Sequence, residues 1–411
     1  VARLIRRATL LALLAAGPAA AQEARPENVL SRARPDAEAP GLRLGAFHAF
    51  PYVTAGIAWD DNILARGTGR QQDAVLRLAP GLLFRSDWSR HSLTGEAALE
   101  PLLYAVTPRF SGVNARAAVT GRVDVGQAGA LTLSGGFQRQ ADLLLSPVPA
   151  AFSGGVPGTV TAEPAIANRL SFGATYTQGI GAFALTGSYS YQRSSFEDPA
   201  RAVPELAASR RDGEVHTTAL RAGWRIGEGG TLFAEAGYNF RRFRTPSFDS
   251  DGTRIILGAS TDLWGLLQGE VFAGLLHQDF SRGLGRVTGP TFGANLRWFV
   301  TPRATATLQG RRDIGEPTTA GRRPGIATSV TAGAELELYR ALLFAASYTY
   351  AQTEVPGQAP DRAHLVAAGP IWLVNRHTQI SATFRHQSRV ASTPGGDFGR
   401  NILLLQLRLG L

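Results

Sequence analysis

The sequence predicts an all-β protein: a transmembrane antiparallel up-and-down β-barrel of about 18 strands (16–18), with short periplasmic turns and long external loops. Three observations predict it. Segments of about ten to thirteen residues alternate apolar and polar along most of the chain. The connections between them alternate strictly between long and short. Beyond Leu44 no apolar run approaches the twenty or so residues that a membrane-spanning helix needs.

The N-terminal residues set the expected compartment. Arg3, Arg6 and Arg7 precede the apolar stretch Ala8 to Ala16, a Gly17-Pro18 break and the small residues Ala19-Ala20-Ala21. This is the layout of a cleavable export signal over residues 1–21, and its apolar run is too short to span a bilayer. Residues 22–46 are rich in Pro, Ala, Glu and Arg without periodicity, and read as a flexible periplasmic leader or a short plug-like segment. The barrel is expected over residues 47–411.

Eighteen segments carry the alternation. They lie near 50–59, 74–86, 92–105, 114–125, 130–141, 166–178, 183–194, 214–225, 231–242, 251–262, 267–278, 288–299, 304–314, 326–338, 342–352, 363–374, 377–390 and 399–411. The last is the clearest. Leu403, Leu405, Leu407, Leu409 and Leu411 share one face, while Leu404, Gln406, Arg408 and Gly410 share the other. An even strand count places both ends of the barrel on one side, and a long first connection makes that side the periplasm. Two of the long connections, 142–165 and 195–213, have the length to fold inward as constrictions. Trp59, Trp88, Trp224, Trp264, Trp298 and Trp372 stand near strand ends, as interfacial aromatic girdles require. A secreted β-propeller is the structural competitor, since hairpins recur about every forty residues, but no Trp-Asp or Gly-His blade signature repeats.

If the apolar face meets lipid, the opposite face lines the interior. It then carries Arg77, Arg85, Arg116, Arg122, Arg169, Arg221, Arg225, Arg241, Arg254, Arg297, Arg311, Arg385 and Arg408 against Glu96, Glu100, Asp124, Glu235, Asp262, Glu335 and Glu337. A cationic excess on a wall of Ser, Thr, Gln, Asn and Gly favours anionic or polyhydroxylated solutes. The plainer reading is that these side chains pair across strands and stiffen a wide barrel.

Composition excludes several classes. There is no Cys and no Lys, so all 42 basic side chains are Arg, and no disulfide, Cys-ligated metal or Cys nucleophile is possible. The formal net charge of +10 is spread along the chain without a basic block for nucleic acid. The seven histidines never take a ligand-like spacing, and no Gly-x-Ser-x-Gly elbow occurs. Asp249-Ser250-Asp251-Gly252 starts like a calcium loop but lacks the downstream acidic ligand, so a turn is the simpler reading. No cofactor, no metal and no catalytic residue is expected.

Leu42 to Leu64, reading LRLGAFHAFPYVTAGIAWDDNIL, resembles the opening of the beta-barrel porin 2 family of outer-membrane barrels, with Trp59-Asp60-Asp61-Asn62-Ile63 as the motif that ends the first strand. The end of the chain is similar as well: a tight turn at Asn375-Arg376-His377, an aromatic–Arg strand through Phe384-Arg385-His386, and Gly399-Arg400-Asn401 before the closing strand. Leu411 stands where many outer-membrane proteins carry an aromatic residue. The resemblance implies an outer-membrane pore in contact with lipid, lipopolysaccharide and the barrel-assembly machinery. Some relatives look like exits of exopolysaccharide export systems, which would add periplasmic export components as partners. The leading expectation is a passive pore for polar or anionic solutes. Its alternatives are a polysaccharide exit duct, a closed structural barrel and an outer-membrane enzyme. Asp60, Asp61 and Asn62 read as a polar exit from the first strand rather than a binding site.

Overall fold

The computed structural model describes residues 28–141, 165–198, 208–263, 265–280, 285–315, 325–392 and 395–411. Its strands are β1 (Leu42–Leu44), β2 (Phe47–Asp60), β3 (Asp73–Ser86), β4 (Ser92–Tyr104), β5 (Gly112–Val125), β6 (Gly129–Ala141), β7 (Ile166–Ile180), β8 (Phe183–Glu197), β9 (Gly213–Ile226) and β10 (Gly230–Phe243). They continue as β11 (Ser250–Leu263), β12 (Leu267–Phe280), β13 (Gly285–Thr301), β14 (Ala304–Gly315), β15 (Gly325–Tyr339), β16 (Leu342–Glu354), β17 (Asp361–Leu373), β18 (Thr378–Val390) and β19 (Phe398–Gly410). From β2 to β19 each strand pairs antiparallel with its neighbours in sequence, and β19 pairs with β2. The result is a closed barrel of 18 strands, in which lipid meets no unpaired edge.

The sequence's alternation sorts the two faces. Along β19, Leu403, Leu405 and Leu409 are 44–48% exposed, whereas Leu404 between them is 2% exposed. The first set faces the surroundings of an isolated barrel, where lipid belongs, and the second faces inward. Trp59, Trp88, Trp224, Trp298 and Trp372 are all exposed. Trp59 sits at the end of the long connections, hereafter the loop end, and the other four at the opposite, turn end. Trp264 lies outside the described residues. At the turn end, Gly181 (φ 60°) and Gly227 (φ 61°) take the left-handed conformation that a hairpin this tight imposes.

Several strands run further at the loop end than alternation suggests. β8 continues to Glu197 and pairs with β7 to its start, because the hydrogen-bond ladder persists after the apolar pattern stops. There the outer face turns polar. Arg139 binds Glu197 through both guanidinium nitrogens, and Asn168 donates to the same carboxylate at 2.8 Å. Arg242 and Asp251 pair likewise on β10 and β11 at 2.9 Å. A charged rim above the apolar belt hides strand residues from a pattern search that looks for lipid-facing side chains.

Residues 28–41 of the leader are placed by contacts with the barrel. From Asn28 onward it is attached to the inner wall at the turn end. The Val29 amide donates to Thr305 Oγ1 at 3.3 Å, and the Leu30 amide and Asn28 Nδ2 both donate to the Glu335 carboxylate. Arg34 Nη2 reaches Glu337 at 2.8 Å. Val29 is completely buried against Leu343 and Ile371, with Leu30 and Leu373 packed beside them. This strap crosses toward the seam, where Gly41 packs on Phe50, and then forms β1, which takes up β2 over Phe47–Ala49 just below the point where β19 ends. The physical reason is burial: the strap covers apolar inward side chains that would otherwise face water.

Candidate functional site in the barrel interior

Among the described residues the interior has two covered regions and one bare wall. The first covered region is the strap on β14–β17. The second is the loop end of β2, β3, β4 and β19, where the strand-end motif folds inward. Trp59 points out, but Asp60, 2% exposed, forms a buried ion pair with Arg400, also 2% exposed: Arg400 Nε donates to both carboxylate oxygens at 2.9 and 3.0 Å. The Asn401 amide and its Nδ2 each donate to Asp61 at 2.7 Å. Asn62, fully buried, donates through Nδ2 to the carbonyls of Arg66 and Gly399, and accepts from the Arg66 amide. Ile63 then packs with Ala58, Val75, Leu102, Tyr104, Phe110, Ile402 and Leu404. The motif that reads as a polar strand exit is therefore a latch. It joins the first barrel strand to the last and draws the first long loop into the lumen. Of the connections expected to constrict, residues 142–164 of the first and 199–207 of the second lie outside the described residues.

The charged side chains expected on the inner face all fall there by register, and most have partners. Arg77 pairs with Glu100, and Arg116 lies 3.8 Å from Glu96 while donating to the Tyr52 hydroxyl at 3.1 Å. Arg221 bridges Glu235 and Glu270, and Arg254 binds the other oxygen of Glu235 at 2.7 Å. Arg122 binds Asp124 at 3.0 Å, Arg311 binds Asp313, and Arg241 donates to Asn239 at 3.2 Å. Arg408 stacks on the Tyr52 ring at 3.7 Å and Arg85 on Phe50 at 5.1 Å. Arg385 stands opposite Ile402, half-buried. Arg297 stands opposite Thr307, and its Nε is buried without a hydrogen-bond partner among the described residues. Glu335 serves the strap. Cross-strand ion pairs, same-strand pairs two residues apart and ring contacts together fix these side chains in a wide barrel.

Sequence reasoning missed the inward apolar pair Leu343 and Ile371, the Arg400 partner of Asp60, and Glu270. The signal for the first was present: Leu342-Leu343-Phe344 and Pro370-Ile371-Trp372 are apolar on both faces, as strands covered on both sides are. Nothing in the spacing of Asp60 and Arg400, 340 residues apart, marks them as a pair.

Between the strap and the wall formed by β2 to β7, with parts of β16, β17 and β19, lies a cavity of about 790 Å³. Its strand side presents Thr94, Thr120, Thr132, Ser134, Ser171 and Thr175 with Arg85, Arg122 and Arg408; its strap side presents Leu30, Arg32, Arg34 and Ala37 to Ala39. Among the described residues no group of three or more His, Asp or Glu is arranged to hold a metal ion. Asp249 is a turn residue that accepts the Phe243 amide at 2.7 Å, and Asp251 is engaged by Arg242.

A closed 18-strand barrel with an apolar outer belt and a charged, partly lined interior is the architecture of a porin-type membrane protein. Residues 34–411 match the model of the family described as Putative beta-barrel porin 2, and the chain belongs to that family. Among solved structures it is similar to Pseudomonas aeruginosa OccK1 (OpdK), at TM-score 0.47 and 10% identity over 88% of this chain and 99% of that one. It is similar also to P. aeruginosa OccK9 (OpdG), at TM-score 0.46 and 13% identity over 88% and 98% of the two chains. Acinetobacter baumannii OccAB3 matches at TM-score 0.45 and 9% identity over 89% and 99%. No curated protein sequence matches the chain.

Proposed function

We propose that this barrel sits in a bacterial outer membrane, turn end toward the periplasm, and passes polar and preferentially anionic solutes passively. The path runs along the wall of β3–β7, past the strap. The observation that supports this most is the cavity beside the strap: its wall over β4–β7 is rich in hydroxyls and bears arginine, Glu38 and Glu96 are carboxylates in its lining, and Leu30, Phe50, Leu343 and Ile371 add apolar surface. A water-filled duct needs such a surface, and an arginine excess biases passage toward anions. Residues 1–21 act in this reading as a signal removed on export, which N-terminal sequencing of the membrane-extracted protein checks.

Purified protein in a planar bilayer is expected to give conductance steps and an anion-selective reversal potential in a salt gradient. No steps in any salt would remove the pore reading and leave a closed structural barrel. Replacing Arg297, Arg311 and Arg385 together with Gln should move the reversal potential toward cations, and an unmoved potential would show that these side chains do not set selectivity. Loss of a secreted polymer on gene deletion would replace small solutes with the exit-duct alternative.

A further inference from the structure

The bare wall is ordered along the strand register rather than merely polar. Arg85 on β3 is directly opposite Thr94 on β4, Thr94 opposite Thr120 on β5, and Thr120 opposite Ser134 on β6. One step nearer the turn end, Ser92, Arg122, Thr132 and Thr175 form a second row across β4 to β7. Facing side chains in such rows are spaced by the strand separation, about 4.8 Å. All of these residues line the 790 Å³ cavity, a volume in the range of small-molecule sites.

The two rows divide their chemistry. Arg122 is held by Asp124 at 3.0 Å, and Glu96 faces Arg116. Arg85 is different. It is exposed to the cavity, rests on the Phe50 ring, and among the described residues no carboxylate binds it. Thr94 is exposed beside it, and Thr120, Thr132 and Ser134 are half-exposed. A guanidinium at one end of a run of short hydroxyls offers a fork for a carboxylate and, next to it, alternating donors and acceptors for several hydroxyl groups. A simple carboxylate would leave the hydroxyl run unused, and a neutral polyol would leave Arg85 unused.

We infer that this cavity is a binding site for sugar acids, molecules carrying one carboxylate and a chain or ring of hydroxyls. Arg85 takes the carboxylate, and Thr94, Thr120 and Ser134 take the hydroxyls, with Thr132 and Thr175 below them. The assignment deepens the reading of the lumen as a solute path, but binding itself is measurable whether or not the barrel conducts.

The test uses three six-carbon probes on the purified full-length barrel: gluconate, hexanoate, which keeps the carboxylate and lacks the hydroxyls, and sorbitol, which keeps the hydroxyls and lacks the charge. Titration calorimetry is expected to show gluconate binding roughly tenfold or more tighter than either of the others, since each lacks one set of charged or neutral hydrogen bonds. Arg85→Gln should weaken gluconate by a similar factor and leave sorbitol unchanged. The triple variant Thr94→Ala, Thr120→Ala, Ser134→Ala should bring gluconate down to hexanoate. These side chains are at least half-exposed, and the heat-shifted gel mobility of a folded barrel confirms that the variants assemble. Hexanoate binding as tightly as gluconate, or an Arg85→Gln variant with undiminished gluconate binding, would overturn the inference. Gluconate binding without any bilayer conductance would keep it and remove the pore reading instead; conductance without gluconate preference would do the reverse.

Discussion

The covered and the bare parts of the inner wall obey the same alternation but use opposite chemistry. Where the strap lies on β14–β17, inward positions are Leu343, Ile371 and the carboxylates Glu335 and Glu337, and the strap satisfies each of them. Where β4–β7 face the cavity, inward positions are mostly Thr, Ser, Ala and Gly, with Glu96 and Arg122 among them, and among the described residues the strap stands across the cavity rather than against them. The difference shows what decides an inward residue in a wide barrel. It is contact with another part of the chain, not direction alone. A covered position can be apolar or carry a buried charge because a partner is fixed beside it. A bare one has to be wettable and small.

Four substitutions sharpen or break that contrast, in falling order of effect. Asp60→Asn strikes the latch and leaves Arg400 buried without its counter-charge. It is expected to destabilise the barrel by about 3–5 kcal/mol, read as a lower temperature for the gel-mobility shift on heating. A loss near zero would mean that the pair is not buried in the membrane-inserted protein. Val29→Asp strikes the strap. A carboxylate against Leu343 and Ile371 should release residues 28–34 and raise single-channel conductance roughly twofold, as expected when a wall-attached segment leaves a barrel of this width. Unchanged conductance would place the narrowest point elsewhere. Arg221→Gln removes the bridge between Glu235 and Glu270; we expect a cost of about 1–3 kcal/mol in unfolding measurements, together with a shift of the reversal potential toward cations. On the bare wall, Ser134→Ala alone should change stability by less than about 0.5 kcal/mol. A larger loss in thermal unfolding would show that this wall is covered after all.

Most of the barrel is legible in the sequence because lipid and lumen impose a period of two on every strand. That is why each of the 18 strands lies where alternation puts it, and why the inward arginines are inward. What escapes the pattern is contact between parts distant in the chain. The strap's attachment depends on Glu335 and Glu337, some 300 residues away. Residues 28–41 have no strand or helix period of their own to reveal it. The latch escaped for the same reason: Asp60 and Asp61 look like any polar strand exit until Arg400 and Asn401 are beside them. Arg85 is a subtler case. Its direction is readable, but that no carboxylate among the described residues binds it is visible only once all the other pairs are placed.

The latch also bears on how the barrel comes to exist. Every other strand pairing joins neighbours along the chain, whereas β2 and β19 meet only after the whole polypeptide has been made and the two ends of the sheet have found each other. Ring closure over such a span carries the largest chain-entropy cost of any pairing in the molecule. The opposite charges of Asp60 and Arg400, brought together at the loop end of that seam, turn a late, improbable encounter into one that holds. Slowed assembly of Asp60→Asn in refolding into lipid vesicles, with the earlier hairpins forming at their normal rate, would be the kinetic mark of closure as the committing step.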